Sequence, residues 1–87
     1  MEEENPNTSN IEKKIEGETF IKPKAKYMYT YTGLVIAEWE IDTKKYPVEY
    51  REISDNTIEL VWTAGYSGQF DIKYGDLTKT IVVESLF

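Results

Sequence analysis

The sequence predicts an all-β chain that closes as a single antiparallel sandwich of about seven strands. Three observations point there. Short runs are rich in Val, Ile, Thr, Tyr, Phe and Trp; apolar residues recur at every second position within them; and Gly, Pro, Asn or Asp separates one run from the next. No window carries an apolar stripe of helical period, because Gly, Pro or β-branched residues interrupt each one. The chain has 87 residues, 40% of them apolar, enough for one small core and too few for two ordinary domains.

Residues 1–10 contain Glu2, Glu3 and Glu4, two asparagines flanking Pro6, and Thr8-Ser9-Asn10, with no apolar residue after Met1. They are expected to be a disordered acidic arm or a linker, and residues 11–87 the sandwich. The first two strands are expected at Ile11–Glu16 and Thr19–Ile21. In Ala25–Thr32, Ala25, Tyr27, Tyr29 and Tyr31 share one face and Lys26, Met28 and Thr30 the other. Gly33 separates that strand from Val35–Ile41. There Val35, Ala37, Trp39 and Ile41 form the face expected in the core, and Glu38, Glu40 and Asp42 the face expected in water. Val48–Ile53 follows, then Asp55-Asn56 as a turn into Thr57–Trp62, whose inward set is Ile58, Leu60 and Trp62. Gly68–Tyr74 alternates Phe70, Ile72 and Tyr74 against Gln69, Asp71 and Lys73. Gly75-Asp76 then reads as a tight hairpin turn with positive φ, leading into a last strand at Thr78–Glu84.

Charge and missing residue types narrow the function. With 10 basic and 16 acidic side chains the net charge is -6, so a nucleic-acid backbone is repelled. Histidine and cysteine are both absent, which removes Ser-His and Cys-His nucleophiles, disulfides and nearly all zinc sites; no enzymatic role is expected. No apolar run approaches the roughly 20 residues of a membrane helix, so no membrane insertion is expected. The polar start also lacks the pattern of a signal peptide. Glu38, Glu40 and Asp42 are the nearest thing to a cation site, but alternate residues on a strand spread out by about 6.5–7 Å rather than converge. They are expected to be a solvated face, with no metal and no cofactor. The lysines, including Lys22, Lys24 and Lys26, fit edge protection and solubility.

Aromatics supply the candidate site. Of seven Tyr, two Trp and three Phe, most fall in the inward periodicity. Tyr46, Tyr50 and Tyr66 do not: they sit in or beside loops or on an expected edge strand, where a ring can anchor a partner. Tyr66 also fits a turn residue packing back on the core. With Arg51 the three tyrosines form the expected contact surface, centred on an edge strand near Val48–Arg51.

The spacing resembles the PKD-like modules of the immunoglobulin-like sandwich, repeated in bacterial surface proteins and present in phage structural proteins. The residues that carry the resemblance are Ile15 with Gly17, Pro23 in a turn, Tyr27, and Trp39 with Ile41. They continue with Ile58, Leu60 and Trp62, then Gly68 leading to Phe70 and Ile72, so that the likeness runs from Ile15 to Val83. Phe70 stands where many relatives place a corner tyrosine, and no cysteine pair spans the sheets. The Trp-Asp-Phe-Gly-Asp-Gly segment of the original PKD domains is absent as well. The resemblance implies a non-enzymatic structural or adhesive module on a virion or at the cell surface, whose partners are proteins or neighbouring subunits in an assembly. A carbohydrate-binding module that stacks exposed rings on a surface glycan is the alternative. The acidic arm ahead of the sandwich suits either the last module of a longer protein or a small protein whose arm reaches a neighbour.

Trp39 is the position of the buried strand tryptophan in such sandwiches. Trp39→Ala is expected to cost about 3–5 kcal/mol and to abolish cooperative unfolding near room temperature. A loss below about 1 kcal/mol in a denaturant titration would show the inward face to be wrongly assigned.

Overall fold

The computed structural model describes residues 13–85, and every regular element among them is a strand. In chain order these are β1 (Lys14–Glu16), β2 (Phe20–Ile21), β3 (Lys26–Thr32), β4 (Trp39–Glu40), β5 (Val48–Ser54), β6 (Thr57–Trp62), β7 (Gly68–Tyr74) and β8 (Leu77–Val83). Two four-stranded sheets result, ordered β1-β3-β6-β5 and β2-β8-β7-β4. The expected arm, the residues Ile11 and Glu12 of the first expected strand, and Phe87 lie outside the described residues.

The architecture is an all-β, two-sheet arrangement, with two departures from expectation. The opening segment is divided between the sheets, β1 pairing antiparallel with β3 and β2 pairing parallel with β8. That makes eight strands among the described residues in place of about seven, and one of their pairs is parallel. Gly17 is where the chain leaves the first sheet: its φ is 152°, and a Cβ there would collide with the Tyr29 ring.

The second departure is β4. The segment Val35–Ile41 was expected to be one strand, yet only Trp39 and Glu40 pair, opposite Tyr74 and Lys73 of β7. The partner decides this. β7 ends at Tyr74 and turns back through Gly75-Asp76, so residues before Trp39 run past the end of their sheet. The Tyr74 hydroxyl accepts the Ala37 N–H at 3.0 Å, satisfying in place of a ladder a donor that would otherwise be stranded. Val35, expected in the core, is 60% exposed, while Ala37 and Ile41 are partly buried against the core.

The turns follow their residues. Gly75 has φ 62° and Asp76 does not share it, which is the type II′ pattern of a two-residue hairpin. Pro23 precedes Lys24 at φ 68°, the type II arrangement, and the Lys24 N–H reaches the Trp62 carbonyl at 2.8 Å.

Both sheets contribute the core. Tyr29, Tyr31, Val48, Ile58, Leu60 and Trp62 come from one, and Ile21, Trp39, Phe70, Ile72, Tyr74, Ile81 and Val83 from the other. The period-2 reading of β3, β6 and β7 therefore meets the structure residue for residue at Tyr29, Tyr31, Ile58, Leu60, Trp62, Phe70, Ile72 and Tyr74. Rings cross the gap twice: Tyr31 stacks on Tyr74 with centroids 4.0 Å apart, and Trp62 on Phe70 at 5.6 Å. Trp39 meets the Tyr74 ring edge-on at 5.0 Å. No charged side chain is buried among the described residues.

Tyr29 is fully buried and its hydroxyl donates to the Glu18 carbonyl at 2.6 Å. Burial, reinforced by the negative charge of Glu18 and by Tyr27, raises its pKa far above the ordinary tyrosine value. Stability held by the neutral phenol is complete below about pH 10, the unfolded value, and is lost as pH climbs toward the raised folded value. Tyr29→Phe should lower stability by about 1 kcal/mol at neutral pH through the lost hydrogen bond. It should also flatten the decline above about pH 10 in denaturant titrations. A variant that declines as steeply as the wild type would contradict this.

Candidate functional site

Three of the four edge strands are very short: β1 has three residues, β2 two and β4 two. The fourth, β5, has seven and pairs only with β6 among the described residues. Short edges are a common protection against unwanted strand pairing, and a long open edge presents backbone donors and acceptors to a partner. The edge strand expected near Val48–Arg51 is this one.

The approach to β5 is locally determined. Asp42 Oδ1 accepts the backbone N–H groups of Lys44 and Lys45 at 3.2 and 3.0 Å, and its carbonyl accepts Tyr46 N–H at 3.2 Å, forming an Asx-type turn. The Pro47 carbonyl then takes both the backbone N–H and the hydroxyl of Thr63, at 2.7 and 3.1 Å, which pins the start of β5 to the end of β6. At the far end the ladder slips between Glu52 and Ser54, a bulge that leaves Ile53 unpaired before the Asp55-Asn56 turn.

The four expected contact residues are placed differently from one another. Arg51 is 71% exposed, with Nε 3.0 Å from Glu59 Oε1 on the neighbouring strand. Tyr50 is half-buried against the core. It borders two depressions, one of about 460 Å³ shared with Trp39, Glu40, Ile41, Asp42, Asp71 and Lys73, and one of about 200 Å³ that includes Glu49, Arg51 and Glu59. Tyr46 is half-buried too, its ring 6.2 Å from Phe70 and covered by Lys45 Nζ at 5.4 Å. Tyr66 is 63% exposed, yet its carbonyl accepts Trp62 Nε1 at 2.8 Å and its ring stands edge-on to that indole at 6.0 Å. Tyr46 and Tyr66 thus flank the Trp62–Phe70 stack, while Tyr50 and Arg51 lie on the open edge.

Glu38, Glu40 and Asp42 are all exposed, and among the described residues no group of three or more His, Cys, Asp or Glu side chains is arranged to hold a metal ion. Trp39 Nε1 is buried and has no hydrogen-bond partner among the described residues. Period-2 reasoning also missed an exposed apolar loop at Leu34, Val35 and Ile36. Three consecutive aliphatic residues break strict alternation, and that was the available signal.

No family model matches the chain, and no curated protein or solved structure matches it either.

Half-burial alters what truncation of the tyrosines does. Tyrosine rings standing free in solvent could be truncated to alanine with little change in melting. Because the Tyr46 and Tyr50 rings pack on the core, Tyr46→Ala and Tyr50→Ala should instead each cost about 1–2 kcal/mol. Tyr66→Ala keeps the backbone acceptor for Trp62 and should cost less. Thermal melts of the three variants check the order, and a Tyr66 variant less stable than the other two would reverse it.

Proposed function

We propose that the chain is a non-enzymatic immunoglobulin-like module, PKD-like in pattern, that serves as a structural or adhesive element of a virion or cell surface through protein contacts along β5. The observation that carries this reading is β5, the one outermost strand among the described residues that runs to seven residues, the other three having two or three. Lettered by chain order, with the split first strand as A and A′, the sheets read A-B-E-D and A′-G-F-C. That is the division of strands in immunoglobulin sandwiches. An exposed strand edge supplies main-chain affinity, and flanking side chains such as Tyr50 and Arg51 supply selection. Repetition in an array raises the avidity of a weak single contact. The virion or surface setting follows from the PKD-like resemblance.

A photo-crosslinking amino acid at Glu52, on the β5 edge, tests the reading when the chain is produced in its native background. The comparison is the same amino acid at Thr80, an exposed position of β8 on the other sheet, paired with Asp71 of β7. Protein adducts from position 52, recovered in a particle or envelope fraction, and few from position 80 are expected. Absence of adducts from position 52, or equal adducts from both, would overturn it.

A further inference from the structure

We propose that β5 pairs antiparallel with β5 of a second copy of this chain about a two-fold axis through Tyr50, joining two β1-β3-β6-β5 sheets into one continuous sheet. Self-pairing rests on the protein-contact reading above and names its partner.

The phase of the ladder fixes which backbone groups are free. Thr63 N–H donates to the Pro47 carbonyl, and on the other side of β6 Tyr31 N–H donates to the Asn56 carbonyl, each at 2.7 Å. Along an antiparallel pair the hydrogen-bonded side alternates residue by residue. The groups of Glu49 and Arg51 are therefore turned toward Val61 and Glu59, their partners on β6, and those of Val48, Tyr50 and Glu52 point off the sheet. Among the described residues, only the Val48 donor of these is already used, by the Tyr46 carbonyl at 2.8 Å. This turn bounds the regular run on one side and the bulge after Glu52 bounds it on the other. The free stretch is Val48–Glu52, and Tyr50 is its midpoint.

Charge selects the same register. With Tyr50 opposite Tyr50, Glu49 of each copy stands directly across from Arg51 of the other, and both residues are exposed. Moving the axis one residue either way sets Arg51 against Arg51 or Glu49 against Glu49. The Tyr50 pair exchanges both of its backbone bonds, and each Glu52 N–H reaches the Val48 carbonyl of the other copy. Arg51 already lies 3.0 Å from Glu59, so the outer face of the joined sheet carries a Glu59, Arg51, Glu49 row. An isologous contact of this kind needs one self-complementary strip and closes at two copies. Such a strip falls below the area of about 1,200 Å² that separates weak from stable interfaces, so a dissociation constant on the order of 10–100 µM is expected.

Sedimentation velocity over a concentration series tests the proposal with the wild type, Glu49→Arg, Arg51→Glu, the double variant, and an equimolar mixture of the two single variants. The wild type should move from the 10.2 kDa monomer toward twice that mass. Each single variant should associate at least about ten-fold more weakly, since like charges then face each other. The mixture should associate, because a chain with Arg at both positions meets a chain with Glu at both, and the double variant should regain self-association. A wild type that stays monomeric to about 1 mM, or single variants that match it, would overturn self-pairing. If a single variant fails to fold, amide exchange of wild-type Tyr50 decides: slowing with concentration is expected, and an unchanged rate overturns the proposal. A monomeric wild type whose position 52 still crosslinks to other proteins would end self-pairing and leave the protein-contact reading standing; loss of both would end both.

Discussion

Two ring stacks that bridge the sheets hold this sandwich closed. Tyr31 lies against Tyr74 at one end of β7, and Trp62 against Phe70 near the other. Each joins β3 or β6, the inner strands of one sheet, to β7, an inner strand of the other. The chain has no cysteine to span the layers, so ring packing takes the place of a disulfide between them. An aromatic pair contributes about 0.5–1.5 kcal/mol beyond its buried area. That is a substantial share for a small domain, whose net stability is only about 0.05–0.15 kcal/mol per residue.

The stacks also position what lies outside them. Tyr74 holds Trp39 edge-on and accepts the Ala37 N–H, which fixes where β4 begins and leaves Leu34, Val35 and Ile36 in the loop before it. Phe70 receives Tyr46, and the Asp42-capped turn then delivers the chain into β5. The flank bearing β4 and β5 is thus arranged by the core, although few of its own atoms belong to the core. Ion pairs do little of this work. Lys13–Asp76, Lys14–Glu16, Lys22–Glu84 and Arg51–Glu59 all include a well-exposed partner, and exposed pairs contribute about 0–1 kcal/mol. Surface charges are accordingly free to select partners.

β5 departs from the usual treatment of edges. Natural sheets blunt them with shortness, bulges and charge, and β1, β2 and β4 use shortness. β5 keeps its length and confines its bulge to the end beyond Glu52, leaving a regular run whose charges alternate in sign at Glu49 and Arg51.

Strand identity and inward faces were legible in the sequence, since Tyr29, Tyr31, Ile58, Leu60, Trp62, Phe70 and Ile72 reveal themselves by a period of two that side-chain direction on a strand imposes locally. The Gly75 turn was legible for a similar reason, because positive φ is a property of one residue. The extent of β4 was not, because a strand lasts only as long as its partner, and β7 ends opposite Trp39. Nor was the half-burial of Tyr46 and Tyr50, which depends on Phe70 and the core arriving from distant parts of the chain. By itself the sequence determined the all-β class, most strand positions and the core face of β3, β6 and β7. Tertiary structure alone decided the parallel β2–β8 pair, which residues of Val35–Ile41 are covered, and that the three outermost strands other than β5 among the described residues are short. Alternation is written residue by residue, whereas pairing partners and edges exist only once strands far apart in the chain have met.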